Sequence, residues 1–166
     1  KQGKIEFALK YYQSVAKNMT SERLKREAIA KIDCLTKLEN PIKLRSVLLD
    51  DIPDRLRMTF LHEVRYEMPD WPLPDYLIGR QLYLDGSIKK SIQYLSSAAS
   101  NTTLHPIFRR EANRMMGQGA YQLKEFGFAR ERFEQILLDG TLSDGKRLII
   151  QDWINRCDWH QLSQKP

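Results

Sequence analysis

A short pattern of small and bulky residues occurs twice, 38 residues apart, and nothing else in the chain limits its fold as tightly. In the first copy Ile78-Gly79, Leu82-Tyr83 and Gly86 are followed by Ile88, Ser91, Leu95 and Ala98. In the second, Met116-Gly117 and Ala120-Tyr121 are followed by Phe126, Ala129, Phe133 and Ile136. Gly79 aligns with Gly117, Tyr83 with Tyr121, Ser91 with Ala129 and Leu95 with Phe133. The apolar positions keep the three-to-four spacing of a helix face, so each copy reads as two helices joined by a turn. A small residue in the first helix lets the second approach closely, a small residue in the second does the same from its side, and the large residue four positions on fills the gap to the next pair. Such a pair cannot bury its apolar face alone, so neighbours must stack.

The rest of the chain is helical in the same way. Ile5, Ala8, Leu9, Tyr12 and Val15 lie on one helix face, and Gly3, Ile5, Ala8, Tyr12 and Val15 match Lys124, Phe126, Ala129, Phe133 and Ile136, the second half of the repeated unit. Ser21-Glu22 opens a second helix carrying Leu24, Ala28, Ile32, Leu35 and Leu38, ended by Asn40-Pro41. Leu44, Val47 and Leu48 suggest a short helix, and Asp54 caps another through Glu67 with Leu56, Phe60, Leu61 and Val64 as its apolar set. Prolines at 69, 72 and 74 predict a rigid connector over 68–74 outside any regular element. Helices are then expected over Asp75–Leu84, Ser87–Ala99, Pro106–Leu123 and from about Gly127 to Leu138. A last helix follows Ser143-Asp144, with Leu148, Ile149, Trp153, Ile154 and Cys157 on its apolar side. Strand-like alternation is absent, which makes the fold class all-α. The expected layout is a single helical domain over 1–166: degenerate pairs starting mid-repeat in 1–67, the connector, two clearer repeats in 75–142 and a terminal helix in 143–166.

The small–small–large pattern resembles the tetratricopeptide repeat, a helix–turn–helix unit of about 34 residues. It covers Gly3–Val15 and Trp71–Leu138. The family's bulky residue three positions before the Leu-Gly pair is Asp75 in one unit and Asn113 in the other, the proline closing a unit is Thr103 in the first, and the longer period places extra residues in Asn101–His105. The resemblance implies an α-solenoid of antiparallel helix pairs wound as a right-handed superhelix, with the first helix of each pair lining a concave face. On that reading Tyr76, Arg80 and Tyr83 come from one helix, and Glu111, Arg114, Gln118, Tyr121 and Gln122 from the next. Tyr76, Arg80, Tyr83, Arg114, Gln118 and Tyr121 are the candidate partner-binding residues. Arginine pairs bidentately with carboxylate and tyrosine adds rigid amphipathic area, a combination suited to an extended, acidic peptide. Chaperone-binding members of the family hold a C-terminal carboxylate with a Lys-Asn-based clamp; Tyr76 and Arg80 stand at those positions, so that specificity is not implied.

Charge and composition narrow the function classes. Lys and Arg number 27 against 21 Asp and Glu, a net charge of +6, so nucleic acid, an anionic membrane or an acidic partner are all within electrostatic reach. No Arg-Gly repeat, RNA-binding aromatic motif or zinc-finger spacing favours nucleic acid. Mean hydropathy is −0.54, and no uncharged apolar run approaches the roughly 18 residues of a membrane span. Cys34 and Cys157 read as buried free thiols. The chain opens at Lys1 without Met or a signal region, as expected of a piece of a longer protein, and its compartment is not legible.

Nothing assembles an active site. His62, His105 and His160 are isolated; Cys157 and His160 stand one turn apart, but no further metal ligand is near in sequence. Asp50, Asp51 and Asp54 suit caps and turns better than acid–base work. Ser14, Ser46 and Ser87 lack a nucleophile-elbow context, and Gly117-x-Gly119 lies inside a helix, unlike a phosphate loop. The reading is a non-enzymatic protein–protein interaction module or scaffold with no cofactor or metal. Its alternatives are a helical appendage of an enzyme or export apparatus and a basic superhelix for an anionic polysaccharide or nucleic acid. Homo-oligomerisation stays open, because a stack ends in apolar faces.

Overall fold

A computed structural model describes residues 2–37, 54–138, 140 and 142–163. Among them are eight helices and no strand: α1 (Gln2–Asn18), α2 (Glu22–Lys37), α3 (Asp54–Glu67), α4 (Pro72–Leu84), α5 (Ile88–Ser100), α6 (Pro106–Gln122), α7 (Phe126–Leu137) and α8 (Asp144–Ser163). The short helix expected around Leu44–Leu48, with Leu38, Asp50 and Asp51, lies outside the described residues. The chain forms two compact units, Lys1–Met68 and Pro69–Pro166.

In the first unit α1 packs along α2. The Lys31 ammonium sits 5.2 Å from the Tyr12 ring centre, tying the two helices, and Ala28 and Cys34 are buried on α2. In α3 Leu61 and Val64 are buried, while Leu56 is exposed.

The second unit is built by sequential packing: α4 on α5, α5 on α6, α6 on α7 and α7 on α8, with a further contact between α4 and α6. The small residues lie at the helix crossings. A Cβ added at Gly79 would stand 2.7 Å from Leu95 Cγ and 3.0 Å from the Leu95 backbone nitrogen. One added at Gly117 would stand 2.8 Å from Phe133 Cζ. Facing them, Ser91 and Ala129 are fully buried, and the Ser91 hydroxyl donates to the Gly79 carbonyl at 2.8 Å. The core of α7 and α8 gathers Ala120, Phe126, Ala129, Phe133, Ile136, Ile150, Ile154 and Cys157.

Two sequence expectations are corrected in this unit. The prolines do not keep residues 72–74 out of regular structure, because α4 begins at Pro72. A helix leaves its first N–H groups without partners, and proline has none to leave. Pro72 and Pro74 therefore supply a buried first turn that needs no side-chain cap from Trp71. On α8 the buried side is Ile150, Ile154 and Cys157; Leu148 and Ile149 are 71% and 61% exposed.

Candidate functional site

The sequence places Arg80 and Tyr83 one turn apart on α4, and Glu111, Arg114 and Gln118 along one stripe of α6. Gly119 lets α6 pass close to the start of α5, where a Cβ would lie 2.8 Å from Ile88 Cγ2, and the Tyr83 ring of α4 stands beside it at 3.8 Å. At this contact the Tyr83 hydroxyl donates to Gln118 Oε1 at 3.3 Å. Arg114 Nη1 donates to the same oxygen at 2.7 Å, and Arg114 Nη2 donates to Glu111 Oε1 at 3.1 Å. One amide oxygen thus takes two donors, which fills its lone pairs and holds Gln118 in place.

The electrostatics differ from a simple cationic groove. Glu111 is buried, and its carboxylate is paired with the partly exposed Arg114 guanidinium. Most of the Arg114 charge is therefore met within the helix. Among the described residues Arg80, one turn from Tyr83, makes no ion pair, and the Gln118 amide nitrogen donates to no acceptor.

Of the six sequence-predicted residues, Tyr83, Arg114 and Gln118 are joined directly, and Arg80 lies one turn from Tyr83. Tyr76 requires a correction. It is 2% exposed and its ring packs against Phe108 at 4.8 Å between centres, so it is core between α4 and α6 and offers no surface to a ligand. Tyr121 is half-buried and engaged elsewhere: its ring lies edge-on to Phe126, Trp153 and His160 at 5.3, 5.3 and 5.5 Å. His160 also stacks on Phe126 at 4.6 Å. Sequence reasoning did not foresee this aromatic cluster, since only α8 packing on α7 brings residue 160 to residue 126. Glu111 as the anchor of Arg114 was open to inspection, three residues away on the same helix.

Elsewhere, a cleft of about 480 Å³ opens where α5 ends, α6 begins and α7 ends, lined in part by Arg109, Arg110, Asn113, Gln135 and Ile136. Burial pushes the Cys34 thiol up to about 12, helped by the Asp33 carboxylate. Burial also raises Cys157, with Asp158 adding to the effect and Arg130 opposing it. Both are protonated thiols at neutral pH and weak nucleophiles. Among the described residues no three His, Cys, Asp or Glu side chains converge on a point that would hold a metal ion, and no helix is long and apolar enough to cross a membrane.

Comparison with protein-family models, with curated proteins and with solved structures gives no match to this chain.

Proposed function

We propose that the chain is a protein-interaction module, a stack of tetratricopeptide-like hairpins wound as a right-handed superhelix, whose α4/α6 face takes an extended segment of a partner protein. The observation that carries this reading is the network Tyr83–Gln118–Arg114–Glu111, which spans two helices and fixes polar side chains before any partner arrives. Groups already held need lose little freedom on binding. The close crossings at Gly79 and Gly117 support the hairpin stack. Arg80 receives one carboxylate of the partner, and the Gln118 amide receives a backbone carbonyl. Because Arg114 is matched by Glu111, the face suits a segment with a single acidic residue in apolar surroundings better than a polyanion.

The test is fluorescence anisotropy with a library of short labelled peptides, each carrying one acidic residue among apolar ones. Peptides that bind the native chain should lose about tenfold or more in affinity, at least 1.4 kcal/mol, with Arg80→Ala and with Gln118→Ala, while circular dichroism stays unchanged. Equal binding by both variants removes the α4/α6 face as the site. Affinity should fall gently with salt; a steep fall over many counterions would instead point to an anionic polymer as the occupant.

A further inference from the structure

The last helix carries a second, outward-facing pattern that the packing of the unit leaves unused. Gly145, Ile149, Asp152, Arg156, Trp159 and Ser163 follow one another at spacings of four, three, four, three and four, the seam of a coiled-coil helix. All six are exposed, on the side of α8 away from Ile150, Ile154 and Cys157. Ile149 and Trp159 are 61% and 63% exposed, two large apolar side chains on one surface line.

The seam reads the same in both directions in chemical character. About Ile154 as centre, Gly145 mirrors Ser163, Ile149 mirrors Trp159 and Asp152 mirrors Arg156. Laid antiparallel against a copy of itself, small residue meets small, apolar meets apolar and carboxylate meets guanidinium, each contact made twice. A two-fold interface requires this reciprocity. A parallel pairing would set Asp152 against Asp152 and Arg156 against Arg156. Within one chain Arg156 Nη2 and Asp152 Oδ2 are already 2.8 Å apart, both more than half exposed, so the same two charges can exchange partners across the axis at little cost. Leu148 and Leu162, also exposed, flank the seam and add apolar area.

We infer that α8 is a self-association surface, on which a second copy of this chain docks antiparallel through the Ile149–Asp152–Arg156–Trp159 seam. One helix pair is a small interface, so the dimer is weak and dependent on concentration. It uses neither Arg80 nor Gln118 and is independent of the partner-binding face.

Sedimentation velocity from about 10 μM to about 1 mM, the range suited to a contact of this size, tests it. The native chain should shift from monomer to dimer across the range. Trp159→Glu should stay monomeric throughout. Asp152→Arg and Arg156→Asp should each be monomeric alone, because each leaves like charges facing across the axis. Mixed one to one they should dimerise, and the chain carrying both changes should associate like the native one. All these positions are exposed, so helicity should be unchanged in every variant. A native chain that stays monomeric, a dimer indifferent to these substitutions, or a mixture that fails to associate would each overturn the inference.

Discussion

The α4/α5 and α6/α7 hairpins turn on the same backbone hydrogen bonds but fill and close their helix pairs with different side chains. Their turns share three hydrogen bonds at the 38-residue offset: Asp85, Gly86 and Ser87 donate to Gln81, Tyr83 and Leu82, and Leu123, Lys124 and Glu125 donate to Gly119, Tyr121 and Ala120. At the matching turn position Gly86 has φ +76° and Lys124 φ +63°. Both crossings pass over a glycine, but Leu95 fills the first and Phe133 the second. The ends diverge most. In the first hairpin buried Asp75 accepts a 2.6 Å hydrogen bond from Ser97, closing α4 onto α5. Asn113 and Gln135, which hold the corresponding positions in the second, line the open cleft instead. The Asn113 side-chain nitrogen donates to the Arg109 backbone carbonyl at 3.0 Å, and its side-chain oxygen Oδ1 is buried without a partner among the described residues. The lesson is that the crossing depends on what a side chain lacks, whereas the closure of the ends depends on which polar groups can pair.

The largest effect should come from emptying the crossings. Phe133→Ala leaves the bigger void and should cost about 3–5 kcal/mol, with Leu95→Ala in the range of about 2–5 kcal/mol and below it. Urea unfolding of the two variants measures this, and a larger loss for Leu95→Ala would show that the first crossing carries more of the packing. Filling the crossings should come next. Gly79→Ala presses a methyl against the Leu95 backbone nitrogen, which cannot yield, and should cost about 1–3 kcal/mol. The atoms nearest a Cβ at Gly117 all belong to the Phe133 ring and none to backbone, so the loss for Gly117→Ala should be smaller; equal thermal shifts would remove the distinction. The smallest effect isolates the turn. No atom lies within 4 Å of a Cβ at Gly86, so Gly86→Ala tests backbone strain alone and should destabilise by about 1 kcal/mol. Lys124→Gly should stabilise by a similar or smaller amount, about 0.5–1 kcal/mol. Opposite signs in calorimetry would sharpen the equivalence of the two turns, and matching signs would break it.

Much of the local structure was legible from side-chain size and stop signals. The Asp85-Gly86 turn and the entry of α6 at Pro106 follow from short-range sterics, while the repeat pattern marked Gly79 and Gly117 as the crossings that Leu95 and Phe133 fill. The start of α4 was missed because proline disfavours a helix interior yet is tolerated in a first turn, and composition alone does not tell the two apart. The candidate site was legible only in part. Helical spacing puts Tyr76, Arg80 and Tyr83 on one side of α4, but that side is wide. Phe108 covers its Tyr76 end, while Tyr83 reaches Gln118. Tyr121 matches Tyr83 in the repeat and is claimed by the aromatic residues of α7 and α8, since α8 follows the second hairpin and brings Trp153 and His160 to it.

The amino-acid order by itself determined that the described residues are helical and where the helices of the second unit turn back, because both rest on the conformational range of a few adjacent residues. Only the tertiary structure decided which faces are covered. Leu148 and Ile149 are as apolar as Ile150 and Ile154, and periodicity offers α8 both stripes. The one that meets α7 became core, and the other was left facing outward with Asp152, Arg156 and Trp159, because burial belongs to a pair of surfaces and cannot be read from either one.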